Sequence, residues 1–189
     1  MKGFTGILTT WIVIILFLAI LFFVYNRQQD ERYLYLGEDA PIPTEVHPLV
    51  EESKHALVER AAEKDIAVII TAETRSFERQ NQLYKQGRST EGNIVTNAEA
   101  GESYHNYGLA IDYAIEKSSG EITWDIHYDG NENGESDWFE VAEIGKELGF
   151  EWGGDWNSFK DYPHLQMTFG LHIDQLQHGY RPADKASKE

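Results

Sequence analysis

The chain has 189 residues, a formal net charge of −16 and no cysteine. So acidic a surface repels phosphate backbones and excludes nucleic acid as a partner. The missing thiols exclude disulfide frameworks, cysteine zinc fingers and thiol catalysis, so any transition metal must be held by His, Asp and Glu.

In chain order, the first element is an apolar run, Ile7 to Tyr25, without a charged side chain. At about 1.5 Å rise per residue it is roughly long enough to cross a bilayer as a helix. It exceeds a usual signal-peptide core and no small-x-small cleavage site follows, so residues 1–25 read as a retained membrane anchor. Lys2 before the run, and Arg27 and Arg32 among Asp30 and Glu31 after it, leave its orientation undecided. Residues 26–44 are polar and carry Pro41 and Pro43, which reads as a linker.

Residues 45–182 read as one domain. Pro48 suits the first turn of a helix in which Val50, Leu57, Val58 and Ala61 share a face. Ala67 to Thr71 is β-branched and reads as a buried strand. Ser76 is placed to cap a second helix holding Phe77, Gln80, Leu83 and Tyr84, with Gly87 as its stop. Strands are predicted over Leu109–Ile115, Ile122–Tyr128 and His164–Phe169, and a third helix over Asp137–Leu148. Residues 183–189 form a polar tail. Helices and short strands without βαβ alternation indicate an α+β domain.

The signatures HExxH, GxSxG and GxxxxGK[ST] are absent. Two segments stand out instead: Ser103-Tyr-His105-Asn-Tyr-Gly108-Leu-Ala110-Ile-Asp112, and Asp161-Tyr-Pro163-His164. A catalytic zinc takes about three His, Asp or Glu ligands and keeps one position open. Asp112 shares a strand face with Ala110 and Ala114, whose small side chains leave room for a ligand cluster, and an acid there is costly to bury unless paired or metal-bound. Asp161 and His164 would fall on opposite faces of a straight strand, whereas a turn through Tyr162 and Pro163 would bring both to one site. Spacing alone does not choose His164 over His172, and Asp112 and Asp161 read equally as a turn cap and a solvated loop acid.

A second metal pattern lies at Asp129, Asn131, Asn133, Gly134, Glu135 and Glu140, which fits the calcium-loop spacing D-x-[DN]-x-[DN]-G-x5-E. Position eight is Ser136 instead of an aliphatic residue. Asp137 with Glu140 accounts for the end of the match equally well, as an acid variant of the capping box.

The segment SYHNYGLAID resembles the SxHxxGxAxD motif of the VanY/VanX-type D-alanyl-D-alanine metallopeptidase family, and Asp161 with His164 resembles its acidic-residue-x-x-His motif. Thr74 to Arg88 and Glu151 to His164 resemble the subset that cleaves L-alanyl-D-glutamate bonds, phage endolysins among them. The resemblance runs from about Val46 to Phe169. It implies a hedgehog/DD-peptidase-like α+β domain with a central antiparallel sheet, preceded here by one transmembrane helix. It implies zinc on His105, Asp112 and His164, with Asp161 as general base and Arg75 on the scissile carbonyl. Ser103, Tyr107, Trp152 and Trp156 are then candidates to line the substrate cleft.

The activity implied is cleavage of the L-alanyl-D-glutamate bond of peptidoglycan stem peptides in wall remodelling or turnover. The alternatives are a D-alanyl-D-alanine carboxypeptidase or dipeptidase on the same site, and a non-catalytic wall-binding module. That substrate would place the domain on the outer, wall-facing side of the cell membrane, as a single-pass monomer.

Overall fold

The computed structural model describes residues 2–183, with side chains of the first helix described over 10–25 and at 32. Its centre is an antiparallel sheet built on the Ala67 and Ala110 segments, where β-branched and apolar residues favour extended backbone. Strand β2 (Ala67–Ala72) pairs with β3 (Ala110–Glu116), whose other side pairs with β6 (His164–Gln166) and, toward its end, with β4 (Ile122–Thr123). Strand β5 (Glu151–Trp152) completes the order beyond β6. The register sets Asp112 directly opposite His164, while an irregularity between Ile70 and Ala72 sets Ala72 opposite Asp112. Cross-strand neighbours of this kind have Cβ atoms about 5 Å apart, so pairing alone brings these two side chains together.

Helices α2 (Pro48–Ala62) and α4 (Asp137–Glu147) pack with the sheet. Pro48 begins α2, with His47 Nδ1 accepting from the Leu49 amide at 3.3 Å. Val50, Leu57 and Ala61 from α2 meet Ile111, Tyr113, Ile115, Trp138, Val141 and Leu165 in the main core. Burying each such aliphatic side chain contributes about 1.5–3 kcal/mol. The Tyr113 hydroxyl donates to the Trp138 carbonyl at 2.9 Å, so this buried ring brings its polar atom a partner.

Helix α3 (Phe77–Lys85) is capped by Ser76, which accepts from the Arg79 amide at 3.1 Å. A smaller core of Tyr107, Leu109, Leu171 and Leu176 supports the far end of the sheet. Beside it lie α5 (Ile173–Gln177) and a two-stranded ribbon of β1 (Tyr33–Tyr35) with β7 (Tyr180–Pro182).

Two expectations need correction. The predicted strand over Ile122–Tyr128 stops at Thr123, because the Asp125 amide turns back to the Thr123 hydroxyl and the His127 amide to the Asp125 carboxylate. More consequentially, no helix among the described residues is long and apolar enough to cross a membrane. In helix α1 (Lys2–Arg32) the described apolar side chains run over 10–25. That no described helix is long and apolar enough to span overturns the expected transmembrane helix, the membrane as partner and the single-pass, wall-facing location. The side chains of Lys2, Ile7, Arg27, Asp30 and Glu31, and the tail over 184–189, lie outside the described residues.

Candidate active site

His105 sits in a 3₁₀ turn, Tyr104–Tyr107, that leads into β3. The turn is fixed from two sides. The Arg75 amide donates to the His105 carbonyl at 2.9 Å, and buried Asn106 donates to the Arg75 carbonyl at 2.8 Å while accepting from the Gly101 amide at 3.0 Å. Gly108 closes the turn at φ 67°, and a Cβ there would lie 2.4 Å from the Glu45 carbonyl oxygen, so only glycine lets the chain through.

The ring orientations follow from their outer partners. His105 Nδ1 lies 2.7 Å from the Glu73 carbonyl, which can only accept, so Nδ1 carries the hydrogen and the Nε2 lone pair points inward. Gln166 Nε2 donates to the Glu151 carboxylate at 3.1 Å, which leaves Gln166 Oε1 to accept from His164 Nε2 at 2.9 Å. His164 therefore turns the Nδ1 lone pair inward. His105 Nε2, His164 Nδ1 and Asp112 Oδ1 are 3.2, 3.0 and 3.3 Å from one another as pairs His105–His164, His105–Asp112 and His164–Asp112. A tetrahedral zinc with bonds of about 2.0 Å has ligand–ligand edges of about 3.3 Å, so the spacing fits one ion. Among the described residues this is the group able to hold a metal.

The electrostatics agree. Burial opposes charge on Asp112, but hydrogen bonds and charge from His105 and His164 outweigh it and hold the carboxyl well below its usual range. Burial pulls His105 down. It also opposes the charged form of His164, where the Asp112 carboxylate prevails and raises it. Arg75 Nη2 donates to Asp112 Oδ2 at 3.1 Å and Nη1 donates to Gln80 Oε1 at 3.1 Å. Gln80 is fully buried and donates to the Ala98 carbonyl at 2.8 Å, tying the guanidinium to the segment that walls the cleft.

Asp161 reaches the same cleft through a turn. The His164 amide donates to the Asp161 carbonyl at 3.2 Å and the Asp161 amide to the Gly153 carbonyl at 3.1 Å. A Cβ on Gly153 would lie 2.4 Å from the Asp161 carbonyl oxygen, so this approach requires glycine. Burial raises the Asp161 carboxyl and the nearby Asp112 charge adds to the rise, against the opposing pull of His164 and Arg75.

The cleft has a volume of about 700 Å³ and is lined by Arg75, His105, Asp112, Asp161 and His164, with Ser103 and Trp156 on its wall. The Trp156 ring centroid is 5.1 Å from that of His164. Tyr107 and Trp152 are not among the lining residues. Tyr107 is buried in the smaller core with its hydroxyl on the Gly101 carbonyl, and Trp152 is buried in the main core with its indole N–H on the Tyr162 carbonyl. Sequence reasoning missed Gln80, Gln166, Trp124 and Phe159. A signal existed for Gln166, two residues after His164 in one strand and hence on its face.

The Asp129–Glu140 loop spends its oxygens on the protein. Asp129 accepts from the Asn133 and Gly134 amides at 3.1 and 2.9 Å. Glu140 takes Lys64 on Oε1 at 2.9 Å, and the Asn131 and Asn133 side-chain amides on Oε2 at 3.1 and 2.8 Å. Glu135 is exposed. Among the described residues these acids form no metal group, and calcium there is unsupported.

Comparison with known proteins finds relatives of this chain. A family model described as D-alanyl-D-alanine carboxypeptidase matches residues 96–167. The peptidoglycan L-alanyl-D-glutamate endopeptidase CwlK of Bacillus subtilis (strain 168) is 58% identical over 156 residues, covering 82% of this chain and 93% of CwlK. The L-alanyl-D-glutamate peptidase of Listeria phage A118 is 30% identical over 127 residues, which are 66% of this chain and 40% of the phage protein. Among solved structures, the Serratia marcescens L-Ala D-Glu endopeptidase ChiX aligns with a TM-score of 0.39 at 23% identity, over 66% of this chain and 90% of ChiX.

Proposed function

The chain belongs to the VanY/VanX-type D-alanyl-D-alanine metallopeptidase family, in its L-alanyl-D-glutamate endopeptidase branch, and from that premise we propose that it is a zinc endopeptidase cutting the L-alanyl-D-glutamate bond of peptidoglycan stem peptides. The observation that carries this reading is the convergence of two imidazole lone pairs and one carboxylate oxygen on a single point. His105 Nε2, Asp112 Oδ1 and His164 Nδ1 are the zinc ligands. Bound there, zinc supplies Lewis-acid polarisation of water and of the peptide carbonyl.

The remaining work falls to side chains of the cleft. Asp161 accepts the proton of the attacking water and delivers it to the leaving nitrogen. As the C–N bond breaks, this leaves an alanine carboxylate and the amine of D-glutamate. Burial of Asp161 strengthens it as a base by disfavouring its charged form. Arg75 is held by Gln80 and Asp112 through two of its N–H groups, and others of the same fork serve the scissile oxygen as negative charge develops. Ser103 and Trp156 line the wall against which the stem peptide lies.

Digestion of purified peptidoglycan, with new amino termini identified by mass spectrometry, tests the proposal. New amino-terminal D-glutamate or its amide, lost with a chelator and restored by zinc, is the expected result. Release of D-alanine instead would move the activity to the carboxypeptidase branch. No cleavage by zinc-loaded protein would refute the enzyme reading.

A further inference from the structure

The cleft carries aromatic surface that the chemistry above does not use. Trp124 is 59% exposed and Phe159 is 36% exposed, and both line the same cleft as the zinc ligands. Trp124 follows directly on β4 and its ring lies 6.1 Å from that of buried Trp138, which itself packs at 5.0 Å on Tyr113. The platform is thus anchored to the core on one side and open to the cleft on the other. Large rings left open to solvent inside a groove mark a ligand surface, because their burial would otherwise stabilise the fold.

The chemistry of the substrate narrows what meets these rings. In peptidoglycan the amine of the stem L-alanine is acylated by the lactyl group of a muramyl sugar. Only that one amino acid separates the scissile bond from the lactyl unit, and an extended residue spans about 3.6 Å. A sugar ring therefore lies within about two residue lengths of the reacting carbonyl, and the cleft is aromatic at that range, with the Trp156 ring 5.1 Å from that of His164. The muramyl carboxyl is consumed in the amide, so the sugar is neutral. A neutral ring suits a protein of net charge −16 whose cleft also carries Glu102 and Asp161.

We propose that Trp124 and Phe159, which line the same cleft as Trp156, form a subsite that stacks on the apolar face of the muramyl sugar adjoining the scissile bond. The proposal rests on the endopeptidase reading and adds a glycan specificity to it. Stacking is indifferent to hydroxyl placement on the outer rim of the ring but not to loss of the ring.

Two substrates separate the effects: a muramyl stem peptide, and the same peptide with a lactyl cap alone. With the zinc-loaded chain, kcat/KM is expected to be about three- to tenfold higher on the muramyl substrate, the range of one aromatic stacking contact. Trp124→Ala should bring the ratio of the two substrates to about one, and Trp124→Phe should restore most of it. A wild-type ratio of one, or equal losses on both substrates in Trp124→Ala, overturns the subsite. Equilibrium binding of muramyl-L-alanine and lactyl-L-alanine to the same proteins does not depend on turnover. Preferential muramyl binding without cleavage of either peptide would uphold the subsite and refute the endopeptidase; absence of that preference would refute the subsite.

Discussion

Around His105, Asp112 and His164 three lone pairs face one point, and the hydrogens of both imidazoles are committed outward to Glu73 and Gln166. Around Asp129, Asn131, Asn133 and Glu140 carboxylate and amide oxygens are gathered, yet each oxygen accepts from a donor of the protein itself. In the first group Arg75 takes only Asp112 Oδ2 and leaves Oδ1 facing the two imidazole lone pairs, whereas in the second Lys64 and two side-chain amides occupy both oxygens of Glu140. What distinguishes a metal site is which lone pairs are left unspent, and second partners decide that as much as the ligands do.

The largest effect expected at the first region is catalytic. Asp161→Ala should lower kcat by about 10²–10⁴-fold, in line with loss of a general base, while chelator competition shows zinc affinity kept. An equal loss of zinc would make Asp161 part of the metal shell instead. Asp161 must be deprotonated to act and its folded carboxyl is raised, so activity is lost as pH falls through that raised value. The acid limb of the kcat/KM profile should therefore lie above the ordinary aspartate range of about 3.9.

Next in size is the response to ions. Saturating zinc at about 100–1,000 times its Kd should stabilise the fold by about 2.7–4.1 kcal/mol, read as a rise in Tm. Calcium should leave Tm where it was. A calcium shift of comparable size, abolished by Glu140→Gln, would break the contrast between the two regions.

A smaller effect belongs to the outer partner of His164. Gln166→Leu removes the acceptor that fixes the ring and should weaken zinc by about 10–100-fold in the same chelator competition. Full affinity in that variant would mean the strand alone orients the ring. The smallest effect is Lys64→Ala, whose side chain is half exposed; chemical denaturation should show a loss of about 1 kcal/mol or less.

The strand pattern over β3 and the cap of α3 could be read along the chain, because period-two apolar runs and a serine before a polar helix are local signals. The Asp161–His164 pairing was left open by spacing alone, since a straight strand says opposite faces and a turn through Tyr162 and Pro163 says one site; the turn, closed on Gly153, is what the fold holds. Tyr107 and Trp152 show a different limit: an aromatic near a motif suits cleft and core alike, and long-range packing decides. The apolar run at the start of the chain illustrates a third, where local hydropathy suggested a span, yet no described helix is long and apolar enough to cross a membrane. In the acidic loop the residue types matched a calcium pattern, and only the side-chain partners of Glu140 revealed that its oxygens were taken.

Gly108 has a consequence for where this domain begins. Its missing side chain lets residues 45–46 run directly beneath the turn that carries His105, and the His47 amide donates to the Gly108 carbonyl at 2.8 Å. The stretch of chain just ahead of α2 is thus the floor of the ligand loop, directly after the segment over 26–44 that reads as a linker. A fragment started at Pro48 would keep every catalytic side chain and lose the underpinning of the first one, so a minimal domain has to be cut upstream of Glu45.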